Sequence, residues 1–263
     1  MEEYAITVNH LTTERSGLRR SGEEGIYRSS FFLRDLTFAL PKGCITGLIG
    51  RNGAGKSTLI EVLAGALPYQ SGSLSFEGQQ YDRDGAKIRR RLSVVYDEPN
   101  FSRRRTPVSL AAWIRRREPW FDEVYFRRNL ERFGIDPKKP VREMSMGTIK
   151  KLQLILLMSR RPEILLLDEP TTGVDPYSRH EMRDLLLEFM EEETHTILFS
   201  THVTTDLDRI ADYVMMVDDG KLMFQKEKEA LRKDMAAEGD TLPTIREIMQ
   251  RVCRDSGAGQ EVR

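Results

Sequence analysis

The chain has 263 residues, 39% of them apolar, with Lys+Arg and Asp+Glu each totalling 41. That apolar share suffices for a real core and excludes wholesale disorder, and the zero formal net charge argues against a surface built throughout for nucleic acid. The opening MEEYAITVNH is polar and acidic, unlike a secretory signal, and no run of about 18 apolar residues is present to cross a bilayer. Two distant cysteines, Cys44 and Cys253, match no metal spacing and fit a reducing compartment.

In chain order, residues 4–8 alternate like an edge strand, and 12–25 form a polar, Gly-containing insertion expected to be mobile. Residues 31–40 read as a strand turned by Pro41-Lys42-Gly43, and 44–49 as a short buried strand running into the Gly-rich segment 50–55. Residues 56–65 are good helix material, and 71–76 make a further strand with a turn at Gly78. Residues 99–158 change character: Arg-rich, helical in period, with Trp113, Trp120, Tyr125 and Phe126 interleaved. Beyond them lie an all-apolar strand (164–167) ending in Asp168-Glu169-Pro170, an amphipathic helix (179–192) and a buried strand (196–200) reaching Thr201-His202. Residues 213–217 and 221–224 form a hairpin about Asp218-Asp219-Gly220, and the tail after 226 is helical before fraying near Gly257. Strands alternating with helices give an α/β fold with a mostly parallel sheet and one helical insertion.

Gly50-Arg51-Asn52-Gly53-Ala54-Gly55-Lys56-Ser57, followed by Thr58, fits G-x-x-x-x-G-K-[ST] between an apolar strand and a helix, the setting of a P-loop. Glycines let backbone N–H groups wrap phosphates with no Cβ in the way, and the helix N-terminus adds partial positive charge. Gly50, Asn52, Gly53, Ala54, Gly55, Lys56, Ser57 and Thr58 are therefore the candidate phosphate-binding residues. Lys56 should reach the β and γ phosphates, and the Ser57 hydroxyl should ligate Mg²⁺. The buried strand ending at Asp168 would deliver a carboxylate to the same ion, usually through water, and Glu169 could polarise an attacking water. Together the two motifs point to nucleotide hydrolysis.

The order of these motifs, with a Ser-Gly segment between them and a Ser-Thr-His strand end after them, resembles the ATP-binding subunit of an ABC transporter. The resemblance covers roughly residues 4–224, and its most specific stretch is Asp168-Glu169-Pro170-Thr171-Thr172-Gly173-Val174-Asp175-Pro176. Kinases and small GTPases carry no such continuation. The family's L-S-G-G-Q signature stands here as Met144-Ser145-Met146-Gly147-Thr148, degenerate at Met146 and Thr148, with Ser145 placed 23 residues before Asp168.

The resemblance implies a P-loop NTPase of ABC type over residues 4–230, with an antiparallel β subdomain, a helical subdomain inserted at about 99–158, and a C-terminal helical tail over 231–263. It implies that Ser145 and Gly147 bind the γ-phosphate held by a second protomer and that Asp175 crosses the dimer interface. It makes Glu169 the catalytic base, with Lys56 and with His202 as a switch histidine donating to the γ-phosphate. Tyr27 is the expected adenine-stacking aromatic, with Phe31 or Phe32 as alternatives. The family's metal-contacting glutamine falls where Asp97 stands, which places Asp97 with Ser57 and Asp168 around Mg²⁺. The implied activity is ATP hydrolysis by a dimer, expected to be a homodimer, using ATP and Mg²⁺. The expected location is the cytoplasmic face of a membrane, reached through a separate ABC permease chain. Residues 194–222 are similar to bacterial drug- and peptide-export ATPases, which implies export.

Other classes fit less well. ABC ATPases of chromosome maintenance need long coiled-coil arms between the nucleotide motifs, translation factors carry two cassettes, and a small-molecule kinase would lack both the E-P-T-x-G-x-D-P run and the Ser-Thr-His strand. No nucleic-acid partner is expected. Arg89-Arg90-Arg91, Arg103-Arg104-Arg105, Arg115-Arg116-Arg117 and Arg127-Arg128 read as a solvated face, as a side facing permease and anionic lipid, or, given the interleaved aromatics, as a nucleic-acid surface.

Overall fold

The computed structural model describes residues 3–13, 17–20, 26–29, 32–236 and 242–255. Strand β1 (Tyr4–Thr12) is followed by β2 (Gly17–Arg20) and β3 (Ile26–Ser29), which pair antiparallel. The segment expected to be a mobile insertion (12–25) thus contains β2, which pairs with β3 just beyond it. Strand β4 (Leu36–Pro41) returns along β1, starting only after Asp35, whose left-handed backbone (φ 53) breaks the extended run expected from residue 31. Strand β5 (Ile45–Ile49) enters the Gly-rich loop, and helix α1 (Lys56–Leu63) leaves it. Strands β6 (Ser71–Phe76) and β7 (Gln79–Gln80) complete an antiparallel sheet of order β4-β1-β6-β7.

Helix α2 (Tyr81–Arg91) and strand β8 (Leu92–Val95) come next, and neither was expected from the sequence. Arg91 closes α2 by binding Glu77 and Glu163, with Nε 2.7 Å from Glu163 Oε1, so this arginine run is partly structural. The helical insertion resolves into α3 (Pro107–Arg115), α4 (Glu123–Arg132) and α5 (Met146–Met158). Each begins at a side-chain cap: Thr106 in a capping box with Ser109, Asp122 accepting from the Tyr125 N–H, and Ser145 accepting from the Thr148 N–H.

The remaining elements are β9 (Ile164–Asp168), α6 (Pro176–Phe189), β10 (Thr196–Ser200), α7 (Thr204–Ile210), β11 (Tyr213–Asp218), β12 (Lys221–Glu227), α8 (Lys228–Asp234) and α9 (Ile245–Asp255). Helix α6 starts three residues ahead of the expected position 179. Asp175 caps it by accepting from the Ser178 N–H at 2.9 Å, and Pro176, with its fixed φ and no donor to waste, suits the first turn.

The main sheet has the order β12-β11-β5-β10-β9-β8, parallel from β11 to β8 and antiparallel only at β12. Its central strands β5, β9 and β10 are buried along their whole length, as expected when both faces are covered. Alternation sorts their side chains onto two cores. Leu165, Leu167, Ile197 and Phe199 face α5 and α6, while Leu166, Leu198 and Leu48 face α1 and the antiparallel sheet. Leu165, Leu166 and Leu167 are each fully buried, so truncating one to Ala should cost about 2–5 kcal/mol. Ile245 and Ile248 of α9 are also fully buried and join the first of these cores.

Candidate nucleotide-binding and hydrolytic site

Parallel pairing brings the C-terminal ends of the central strands into one row. Ser200 on β10 is level with Asp168 on β9 and with Leu48 on β5, so the Gly-rich loop, the acids after β9 and the His202 segment leave the sheet at the same edge. Ligands in open α/β sheets bind at this edge.

The loop itself is shaped by close backbone approach. Gly50 has φ 157, and a Cβ there would collide with the Val217 carbonyl oxygen on β11. Lys56 is buried (7% exposed), and its Nζ donates to the carbonyls of Gly50 at 2.9 Å and Arg51 at 3.1 Å. Desolvation lowers its pKa, while the nearby Glu169 and Asp168 carboxylates oppose that shift. The ammonium therefore lies within electrostatic reach of both acids. Ala54 and Gly55 are buried; Asn52, Gly53 and Ser57 are exposed, and Thr58 is half-buried.

The acids are held by a hydroxyl that sequence reasoning missed. Ser200 Oγ donates to Asp168 Oδ1 at 2.8 Å and accepts from the Glu169 N–H at 3.1 Å. The Glu169 N–H is shared with the Ser200 carbonyl, also at 3.1 Å. Glu169 has φ 48, a left-handed conformation that costs a non-glycine residue about 1–3 kcal/mol and marks many functional sites.

Glu169 Oε2 collects every hydrogen bond its carboxylate makes among the described residues. It accepts from Thr172 Oγ1 at 3.0 Å and from the His202 N–H at 3.3 Å, and it lies 2.7 Å from His202 Nδ1. Facing a carboxylate, Nδ1 serves as the donor. This arrangement leaves Oε1 without a hydrogen-bond partner among the described residues. Thr172, like Ser200, was not singled out in the sequence; its position three residues after Glu169 inside the Asp168–Pro176 stretch was the available signal.

A second group forms around the start of α5. Ser145 is exposed, and its Oγ lies 2.9 Å from Thr148 Oγ1. Gly147 is buried in the first turn of α5, where a Cβ would sit 2.6 Å from Ser178 Oγ and 3.1 Å from Asp175 Oδ2. Asp175 keeps a carboxyl pKa below the usual range because the Ser178 backbone N–H, and then its hydroxyl, bind it. Ser145, Gly147 and Asp175 thus cluster with one another, while Lys56, Asp168, Glu169 and His202 form the other group.

Tyr27 and Asp97 are the remaining expected residues. Tyr27 lies on β3 with its backbone paired to Arg19, but its side chain lies outside the described residues, as does Phe31. Phe32 is half-buried beneath the Arg34 guanidinium, 4.1 Å from its ring centre. The Asp97 carboxylate is 3.1 Å from Nζ of Lys150, another residue missed from the sequence.

Because the phosphate loop follows β5 and the Asp168-Glu169 pair closes β9, the two strands that flank β10 in one mostly parallel sheet, fold and site together define a P-loop nucleoside triphosphatase. Residues 33–172 match the ABC transporter family, and the chain belongs to that family as an ATP-binding subunit that hydrolyses ATP. It is 30% identical over 220 residues to the ABC transporter ATP-binding protein YtrB of Bacillus subtilis (strain 168), covering 82% of this chain and 75% of that protein. It is 29% identical over 201 residues to the lantibiotic transport ATP-binding protein SrtF of Streptococcus pyogenes, covering 76% of this chain and 86% of that protein. The solved structure of an ATP binding subunit of an ABC transporter superposes with a TM-score of 0.77, covering 94% of this chain and 99% of that chain at 21% identity. At that identity the superposition speaks for the fold.

Proposed function

We propose that the chain works as one of two ATPase subunits, expected to be identical, on the cytoplasmic side of a separate membrane permease, and that it drives export of a drug- or peptide-like substrate. The observation that supports the dimer is that Ser145, Gly147 and Asp175 form a cluster of their own, with no hydrogen bond to Lys56, Asp168, Glu169 or His202 among the described residues. Ser145, Gly147 and Asp175 sit together at one end of α5, and Lys56, Asp168, Glu169 and His202 at the strand ends. A second copy, turned to face the first, would bring the α5 N-terminus of one chain to the phosphates held by the other, where its N–H groups favour an anion.

Within one site, Lys56 would neutralise charge on the β and γ phosphates, and Glu169 would take the proton of the attacking water on Oε1. His202 and Thr172 hold the other oxygen in place. The oxygen donors of Ser57 and Asp168 suit Mg²⁺, and Asp168 is fixed for that role by Ser200. When bound, Mg²⁺ would supply neutralisation of the charge on the phosphates.

The permease is inferred from membership of the ABC transporter family, and no helix among the described residues is itself long and apolar enough to cross a membrane. SrtF carries the name of a lantibiotic transport protein, which supports the export reading. On the helical insertion, Trp113 is 46% exposed with the Arg117 guanidinium 4.1 Å from its ring centre, and Arg103, Arg104, Arg105 and Arg116 are all exposed. A cationic, aromatic face of this kind suits a permease loop beside anionic headgroups.

The test is co-expression with a candidate ABC permease, a membrane protein. The chain should enter the membrane fraction only when that protein is present, and should stay there after nuclease treatment. Release by nuclease, or sedimentation independent of the membrane protein, would overturn the assignment.

A further inference from the structure

Lys150 lies in the second turn of α5, and its side chain is 1% exposed. An ammonium so deeply buried is sustained only when its protons find acceptors. Lys150 has three: the Asp97 carbonyl, Asp97 Oδ1 at 3.1 Å, and the Glu169 carbonyl at 3.4 Å. One cation thereby joins the helix that follows the signature, the segment that follows β8, and the residue that follows Asp168. Gln153, one turn further along α5, adds to the grip by donating to the Tyr96 carbonyl at 3.2 Å.

The third contact matters most for chemistry. The backbone of Glu169 is left-handed and is held on its N–H side by Ser200. Lys150 supplies the contact on its C=O side. A left-handed peptide persists only when its surroundings over-determine it, and its orientation aims the carboxylate. Asp97, with its side chain 54% exposed, has the near oxygen committed to Lys150.

We infer that Lys150 is a positioning residue for ATP hydrolysis, fixing the peptide of Glu169, and that Asp97 serves as the counter-ion of Lys150 and not as a ligand of Mg²⁺. The inference rests on the reading of Glu169 as the group that takes the proton from water. It explains why a carboxylate stands where the family has a glutamine: a buried lysine beneath it requires a negative partner.

The experiment uses the full chain with Mg-ATP and measures kcat, KM for ATP and the Mg²⁺ concentration giving half activation. The variants are Glu169→Gln, Lys150→Met, Asp97→Asn and the Lys150→Met/Asp97→Asn double substitution. Lys150→Met should lower kcat about tenfold, as expected for a displaced reacting group. Its KM should stay within about twofold, because the phosphate loop is untouched; a retained KM also shows that the site is folded. Asp97→Asn should lower kcat with the Mg²⁺ midpoint unchanged, and should add nothing in the Lys150→Met background, the signature of two groups acting as one. A wild-type kcat in Lys150→Met, a kcat loss accompanied by an equal rise in KM, additive effects of the two substitutions, or a Mg²⁺ midpoint raised about tenfold or more by Asp97→Asn overturns the inference. Wild-type hydrolysis by Glu169→Gln overturns the underlying reading of Glu169. Loss of turnover there with an unaffected Lys150→Met overturns the role of Lys150 alone.

Discussion

His202 grips Glu169 through a single oxygen, with Nδ1 2.7 Å and the backbone N–H 3.3 Å from Oε2. The histidine is the open side of this pair: its side chain is 51% exposed against 15% for Glu169. Under the proposed function, the imidazole would meet an incoming phosphate while it holds the Glu169 carboxylate behind it.

Replacing His202 by Ala removes the orienting contact but none of the phosphate loop. Steady-state kinetics should show kcat reduced about a hundredfold with KM for ATP changed less than about threefold. A variant that loses ATP affinity and keeps kcat would place His202 in binding, not in hydrolysis.

Ser200→Ala strips Asp168 of a donor in a fully buried setting and leaves the Glu169 N–H with one acceptor. Denaturant unfolding should show a loss of about 1–3 kcal/mol, the cost of an unsatisfied buried group. Unchanged stability would mean that water replaces the hydroxyl.

Gly147→Ala places a methyl group 2.6 Å from Ser178 Oγ. Either the start of α5 or the start of α6 must move, and both belong to the cluster assigned to the dimer interface. ATP binding to the monomer should persist while ATP-driven dimerisation, followed by gel filtration, is lost. Ser178→Gly in the same chain should restore it by clearing the space.

Acid stability should depend on Glu77. Burial alone would raise its pKa, but hydrogen bonds from Lys42 and then Arg91 outweigh that and hold it below the usual 4.5. A depressed carboxyl pKa contributes stability that is present above the unfolded value and is lost as pH falls through the folded one. Glu77→Gln should thus be less stable than wild type at pH 7 by about 1 kcal/mol, allowing for partial exposure of the cluster. The gap should close as pH drops below 4.5. A gap that persisted in acid would show that the loss comes from packing.

The sequence made the centre of the site legible because that chemistry is local. A glycine loop ending in Lys56, and an apolar strand ending in Asp168 and Glu169, can each be read from adjacent residues. What supports them is not local. Ser200 meets Asp168 only through the parallel register of β10 and β9, and Lys150 meets Asp97 and Glu169 only once α5 packs beneath both loops. In the sequence Ser200 is an ordinary strand end, and Lys150-Lys151 looks like a solvated pair, although both lysines are buried. Helix α2 and strand β8 were hidden for a similar reason: Arg89-Arg90-Arg91 resembles an exposed run until Arg91 finds Glu77 and Glu163. The start of α6 at Pro176 could have been read from the Asp175-Pro176 cap.

Glu169→Gln offers the most direct measurement, with ATP turnover and gel filtration both recorded in Mg-ATP. If Lys56, Glu169 and His202 act on one triphosphate, the variant binds ATP, fails to hydrolyse it and runs as a stable dimer, while Lys56→Ala loses most of its ATP affinity and stays monomeric. Hydrolysis by Glu169→Gln at the wild-type rate would contradict the account.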